Sequence, residues 1–267
     1  MSTHEPVFTG AMPAFYDRYM VPLAFRVYAA AMVERLRAKP PARLIETGCG
    51  TGIVTYAVAD AFPQAEIVAT DVSGAMLDFA KAKRPDARIA WREADAAALP
   101  FAVASFDTVM CAFAVMFFAD KRRAFREARR LLAPGGRFVF SVWDRMEANE
   151  IHAAVFHAVA ALFPGDPPSF MRRVPFGYND ADLIRADLAA AGFAEVSVEA
   201  VERELRAPSA REPAIGLCQG GSSRAEIEAR DPGGLERVTE QVAAAVARHF
   251  GPGPITGQSR ALFVIAA

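Results

Sequence analysis

The residue types best placed to do chemistry are grouped at Gly48-Cys49-Gly50-Thr51-Gly52, directly after the apolar run Leu44-Ile45-Glu46-Thr47. Glycines at three alternate positions between a strand and a helix permit positive φ and close backbone approach. A ligand can then lie against exposed N–H groups and the positive end of the following helix. A plain tight turn is the alternative, and the strand–turn–helix setting argues against it. A dinucleotide fingerprint would want its third glycine at position 53, but Ile53 stands there and the glycine falls at 52, so the spacing disfavours a nicotinamide cofactor. Glu46, two residues before the first glycine, is a poor neighbour for a pyrophosphate and a good one for an ammonium group. The turn points to a cationic, phosphate-free nucleoside.

Such a turn needs a sheet to hold it. From Ala42 onward, short apolar runs alternate with amphipathic stretches, the pattern of parallel strands joined by crossover helices, and the fold class is α/β. Strands are expected at Arg43 to Thr47, Glu66 to Asp71, Ala87 to Trp91, Phe106 to Ala112, Arg137 to Trp143, Glu195 to Leu205 and Ala261 to Ala266. Helices are expected at Gly52 to Ala61, Ser73 to Lys83 and Lys121 to Leu132, the last stopped by Ala133-Pro134-Gly135-Gly136. Further helices are expected at Asn149 to Phe163, Asp180 to Ala191 and Leu235 to Phe250. Ahead of the first strand, Ala14 to Lys39 reads as an aromatic-rich helix interrupted at Pro22. The expected layout is a helical cap over residues 1–40, an α/β domain over 41–206 and 259–267, and an inserted helical lid over 207–258. Together they make a doubly wound sheet of about seven strands, the last antiparallel. Gly220-Gly221, Gly233-Gly234 and Gly251-Pro252-Gly253 are candidate hinges of that lid.

From Leu44 to Trp143 the chain resembles class I S-adenosylmethionine-dependent methyltransferases, in particular the small-molecule, quinone-biosynthesis-like type 11 group. The glycine turn resembles the family's first motif, which packs against the methionine and ribose parts of the cofactor and brings in Glu46, Gly48, Cys49, Gly50 and Gly52. In Ala69-Thr70-Asp71-Val72-Ser73, the resemblance assigns Asp71 to both ribose hydroxyls, with Val72 beside it; a carboxylate can accept both hydroxyl hydrogens. A helix-capping aspartate is the plain alternative, although Ser73 could itself cap. Arg92-Glu93-Ala94-Asp95-Ala96 resembles the adenine loop, with Asp95 for the amino group and the Ala96 N–H facing the ring. A solvated loop aspartate is the alternative there. The stretch from Phe106 to Phe118 resembles strand four and its turn, which puts Cys111 and Ala112 beside the methionine end of the cofactor. Asp107, at the start of that strand, is expected to be structural. Tyr16 resembles the N-terminal aromatic that folds over the cofactor in related enzymes, against an equal reading as helix packing.

The resemblance implies S-adenosyl-L-methionine as cofactor and methyl transfer to a small, partly apolar acceptor. The alternatives are a nicotinamide-dependent oxidoreductase and a non-catalytic S-adenosylmethionine-binding protein. The cofactor carries the activated methyl, so positioning supplies much of the catalysis and no signature base is required. The catalytic residue is left unknown. His152 and Asp144 are the candidate bases, with a packed histidine as the plainer reading of His152. His152 and His157, five residues apart, point about 140° from one another around a helix and make a poor metal pair, so no protein-built metal site is expected.

The chain has 267 residues, 53% of them hydrophobic, and a formal net charge of -1, which gives no global field for nucleic acid or an anionic membrane. Its 3 cysteines, Cys49, Cys111 and Cys218, are far apart and odd in number, so a disulfide framework does not fit and a reducing cytoplasm is the simplest compartment. Met1 to Gly10 lacks the pattern of a signal peptide, and Leu99 to Ala119 is broken by Pro100, Ser105 and Asp107, so no membrane span is expected. Self-association of the insertion as a homodimer is the other use foreseen for its apolar faces.

Overall fold

The computed structural model describes residues 12–220 and 223–267. Residues 1–11 of the expected cap, with the segment read for a signal peptide, and Gly221 of the first hinge pair lie outside the described residues. Seven strands form one sheet: β1 (Arg43–Thr47), β2 (Glu66–Asp71), β3 (Ile89–Glu93), β4 (Phe106–Ala112), β5 (Leu132–Trp143), β6 (Val196–Ala207) and β7 (Ile255–Ala266), in the order β3-β2-β1-β4-β5-β7-β6. Strands β1 to β5 pair in parallel, while β7 runs antiparallel to both neighbours. This is the doubly wound arrangement expected. The order reverses between β1 and β4, and a ligand crevice opens outside the carboxyl ends of strands at such a point.

Four strands differ from expectation: β6 runs Val196–Ala207 where Glu195 to Leu205 was expected, and the other three start elsewhere, each for a local reason. β3 begins at Ile89, because the Asp86 carboxylate accepts hydrogen bonds from the Arg88 backbone N–H and guanidinium and holds a turn where the strand was expected to start. β5 begins at Leu132, where the Pro-Gly-Gly stretch runs along the edge with a register shift between the Phe106 and Thr108 pairings. β7 begins at Ile255, since the polar stretch 255–260 pairs in register with β6, from Ala207↔Ile255 to Glu202↔Arg260. The connection between β6 and β7 therefore spans residues 208–254, shorter at both ends than the expected 207–258. Asp107 is structural as expected: its Oδ2 accepts from the backbone N–H groups of Ala42 and Arg43 and anchors the start of β1.

Helices α3 (Ile53–Ala61), α4 (Gly74–Lys83), α5 (Lys121–Leu131), α6 (Glu150–Leu162), α7 (Phe170–Arg173) and α8 (Ala181–Ala190) follow the strands to which sequence periodicity assigned them, α7 excepted. Before them, α1 (Met12–Met20) and α2 (Arg26–Arg37) are joined by a π-helical turn at Val21–Phe25. Pro22 has no N–H to give, and the ladder widens there so that the Arg26 N–H reaches the Val21 carbonyl. Arg137 fastens this region to the sheet by donating to the carbonyls of Leu36 and Lys39.

The β6–β7 connection holds α9 (Arg211–Gln219), α10 (Ser223–Arg230) and α11 (Leu235–Phe250). It is fastened to the rest of the fold at defined points. Glu226 Oε2 accepts from the N–H groups of Ser169 and Phe170 at the start of α7, and α9 lies tightly on α1. A Cβ on Gly220 would fall 2.4 Å from Phe15 Cδ1, so Gly220, foreseen as a hinge, is a close-packing contact between helices. No helix of the described residues is long and apolar enough to cross a membrane.

Candidate functional site

The glycine turn between β1 and α3 adopts positive φ at Gly48 (67°), Gly50 (54°) and Gly52 (79°). The reasons for glycine differ along it. A Cβ at Gly48 would lie 2.4 Å from Ala114 Cβ, so this glycine lets the turn pack against the end of β4, whereas a Cβ at Gly50 would meet nothing within 4 Å and would project into the open crevice. The turn is pinned to the end of β2: Cys49 N–H donates to the Thr70 carbonyl at 3.0 Å, and Gly50 N–H donates to Asp71 Oδ2 at 2.8 Å. Asp71 Oδ1 accepts from Ser73 N–H at 2.9 Å, while Ser73 caps α4 by accepting from the Met76 N–H. Asp71 thus ties the two motifs of the crevice together, and each oxygen retains a lone pair for a further donor. Val72, next to it, is exposed.

The crevice is acidic. Glu46 is 1% exposed, accepts from Thr55 Oγ1 at 2.5 Å, and is pushed up to about 8 by burial, against the Thr55 bond and with the Asp71 charge adding to the rise. Burial also raises Asp71, opposed by the N–H donors of Ser73 and Gly50. Two desolvated carboxyl groups close together prefer a cation between or beside them. Tyr16 of α1 reaches this neighbourhood: its hydroxyl is raised first by burial and then by Asp71 and Asp17, and its ring stacks on Phe25 with centroids 5.4 Å apart. An ion pair from Lys83 Nζ to Asp17 Oδ1 at 2.6 Å holds α1 down on α4.

The other residues assigned through the resemblance fall around the same strand ends in different states. Asp95 is exposed and its Oδ1 accepts from the Ala97 N–H, with Ala96 buried beside it. Cys111 is fully buried, its thiol pushed up to about 12 by burial, and Ala112 is half-buried at the end of β4. Of the two candidate bases, Asp144 is engaged by Arg260 Nε at 2.5 Å. His152 is not engaged in this way.

His152 lines a second feature that the sequence did not reveal as a unit, an apolar cavity walled by Tyr16, Phe25, Phe113, Trp143 and Phe176. Leu217 of α9 and Ser223 of α10 line it too, so the inserted helices form part of its wall. Phe113 lies at the end of β4 with φ 54°, a strained conformation for a bulky residue, held by its N–H bond to the Ser141 carbonyl and by stacking on Trp143 at 4.1 Å. The placement brings the cavity beside the crevice, with Tyr16 shared by both. Trp143, Phe176 and Leu217 were missed because each looks like ordinary core in its own segment. The one usable signal was the density of aromatics at strand ends.

The geometry fits a cofactor with a cationic group: a glycine turn with open space at Gly50, its N–H groups at Cys49, Gly50 and Gly52 used within the protein, and buried carboxyl groups at Glu46 and Asp71 beside it. The comparisons agree with that fit. A family of methyltransferase domains matches residues 45–140. The chain is 36% identical over 188 residues to a ubiquinone/menaquinone biosynthesis C-methyltransferase from Dinoroseobacter shibae, covering 64% of this chain and 74% of that protein. It is 38% identical over 129 residues to a malonyl-[acyl-carrier protein] O-methyltransferase from Hahella chejuensis, covering 48% of this chain and 46% of that one. The chain thus spans about half the length of some curated relatives it matches. Phosphoethanolamine N-methyltransferase 2 from Haemonchus contortus, solved with S-adenosyl-L-methionine, shares the fold with a TM-score of 0.57 at 17% identity, covering 97% of this chain and 60% of that chain. The glycine turn, the sheet order and the extent of these matches agree, and the chain belongs to the class I S-adenosylmethionine-dependent methyltransferases.

Proposed function

We propose that this chain transfers a methyl group from S-adenosyl-L-methionine to a small, uncharged, largely apolar acceptor. The observation that carries the reading is the juxtaposition of an acidic, glycine-lined crevice with an aromatic cavity at neighbouring strand ends. In the crevice, Gly48, Cys49, Gly50 and Gly52 would cradle the methionine and ribose, Glu46 would face the ammonium side, Asp71 would take the ribose hydroxyls, and Val72, Asp95 and Ala96 would border the adenine. Cys111 and Ala112 would line the methionine end, and Tyr16 would close over it. When bound, the cofactor supplies a methyl group on a positively charged sulfur. The chain's own part is to orient the acceptor, exclude water and leave the aromatic wall facing the reacting end.

The relatives' names include acceptors of two kinds, a quinone ring and a malonyl group on a carrier protein. The described residues lining the cavity include no Lys, Arg, Asp or Glu, which supports a neutral flat ring over a malonyl carboxylate, since a carboxylate placed there would lack a counter-charge. The test is a thermal-shift comparison. S-adenosylmethionine or its demethylated product should raise the melting temperature and NAD should leave it unchanged, because only a ligand selective for the folded state stabilises it. Stabilisation by NAD with none by S-adenosylmethionine would overturn the assignment.

A further inference from the structure

His152 sits on the first turn of α6 and is 2% exposed, yet its Nδ1 has no hydrogen-bond partner. Its ring lies between two aromatic neighbours, Trp143 at 5.3 Å and Phe176 at 5.5 Å between centroids. A buried imidazole has one donor and one acceptor nitrogen, and leaving such a group dry and unpaired is costly, so an apolar residue of similar shape would serve packing better. Burial alone holds the ring far on the neutral side, pushed down to about 4, with no charged partner contributing. A neutral ring keeps a lone pair available at neutral pH. The same residue lines the aromatic cavity.

We infer that His152 is a specificity-determining residue of that cavity, which takes a flat, uncharged molecule bearing a hydroxyl group, the hydroxyl being hydrogen-bonded by the His152 imidazole. The inference rests on reading the cavity as the acceptor site. The aromatic walls select a flat shape, and the absence of charged lining side chains among the described residues selects a neutral one. The imidazole then rewards a ligand that can donate a hydrogen bond and leaves an unmet partner opposite one that cannot. A site built around a polar contact discriminates strongly against the analogue lacking it, more so than an apolar wall discriminates by size.

The test uses the full chain and two probes, 2-naphthol and its methyl ether 2-methoxynaphthalene, in calorimetric titrations with and without S-adenosylhomocysteine. The parent should prefer 2-naphthol, and His152→Phe should bind 2-naphthol at least about tenfold more weakly while its affinity for the ether stays within about twofold. His152→Gln, which restores an amide, should recover part of the preference. On the parent itself, labelled with ¹⁵N in its histidine rings, 2-naphthol should move the His152 ring-nitrogen signals and the ether should not, a readout that needs no variant to fold. Equal weakening of both probes by His152→Phe would mean a packing role and overturn the inference. So would unchanged 2-naphthol binding, unmoved ring signals, or failure of the parent to bind either probe. The thermal-shift result separates this from the proposed activity. Stabilisation by S-adenosylmethionine with His152-independent naphthol binding sinks only the hydroxyl contact, while the converse pair of results sinks only the methyl-transfer reading.

Discussion

The glycine crevice and the aromatic cavity meet at neighbouring strand ends, and they are built in opposite ways. The crevice is made mostly of backbone: a turn of five residues whose N–H groups at Cys49 and Gly50 tie it to Thr70 and Asp71 at the end of the next strand. The cavity is made of side chains drawn from α1, the π-helical turn, β5, α6, α7, α9 and α10, and no two of its aromatic walls are neighbours in the chain. A backbone site tolerates sequence change everywhere except where a Cβ would intrude. A side-chain site changes its ligand whenever one wall residue changes. With the proposed assignment of cofactor to the crevice and acceptor to the cavity, the difference would let one fold keep its cofactor while its acceptor changes.

If the crevice is a backbone site, the most damaging change is an added side chain where the crevice is open. Gly50→Val should lower S-adenosylmethionine affinity by about a hundredfold or more, while costing the fold only the strain of a branched residue at positive φ, on the order of 1–2 kcal/mol. Calorimetry and chemical denaturation together check this, and a variant that binds normally would show that the cofactor stands clear of the turn. The reciprocal change fills the cavity. Leu217→Trp should weaken 2-naphthol by tens of fold, roughly 2 kcal/mol of overpacking, yet leave S-adenosylmethionine within about twofold. A parallel loss of both ligands would erase the distinction between the two regions.

Asp71→Ala tests the tie between turn and strand. It should weaken S-adenosylmethionine about tenfold, and it should also cost about 1–3 kcal/mol of stability because the N–H groups of Gly50 and Ser73 lose their acceptor. Titration and urea denaturation on the same preparation would separate the two effects, and unchanged affinity would remove Asp71 from the site.

The smallest expected effect is a pH slope. Glu46 is held up to about 8 in the folded protein, so between the ordinary carboxylate range and pH 8 the folded state keeps a proton that the unfolded chain has released. Stability of the ligand-free protein should therefore fall as pH rises through that window. Glu46→Gln should flatten the slope, and binding of a cation beside Glu46 at pH 7 should release a proton in the parent but not in the variant. Denaturation midpoints at pH 5, 6, 7 and 8 decide it, and a slope identical in both proteins would place Glu46 outside the titrating set.

Much of this was legible in advance because it is local. The strands Arg43–Thr47, Glu66–Asp71 and Phe106–Ala112 and the helix Leu235–Phe250 carry their own periodicity and stop signals, so their limits agree with expectation. The glycine turn was legible for the same reason, since the positive φ at Gly48, Gly50 and Gly52 is a backbone requirement within five residues, whereas the contact of Gly48 with Ala114 was not. The first half of β7 was not, since Ile255 to Arg260 has no apolar run of its own and becomes strand through pairing with β6, a partner about fifty residues away in the chain. Nor could Gly220 be distinguished as a packing contact, because Phe15 lies far upstream.

By itself, the sequence determined the α/β alternation, the glycine turn and the acid at the end of β2, since each follows from spacing along a short stretch of chain. Only the tertiary structure decided that Glu46 is buried beside Asp71, that Asp144 is taken by Arg260, and that His152 lies unpaired among aromatic rings. Those outcomes depend on desolvation and on which distant groups arrive together. A side chain's charge state and hydrogen-bond partners are properties of its surroundings in space, and spacing along the chain carries no record of them.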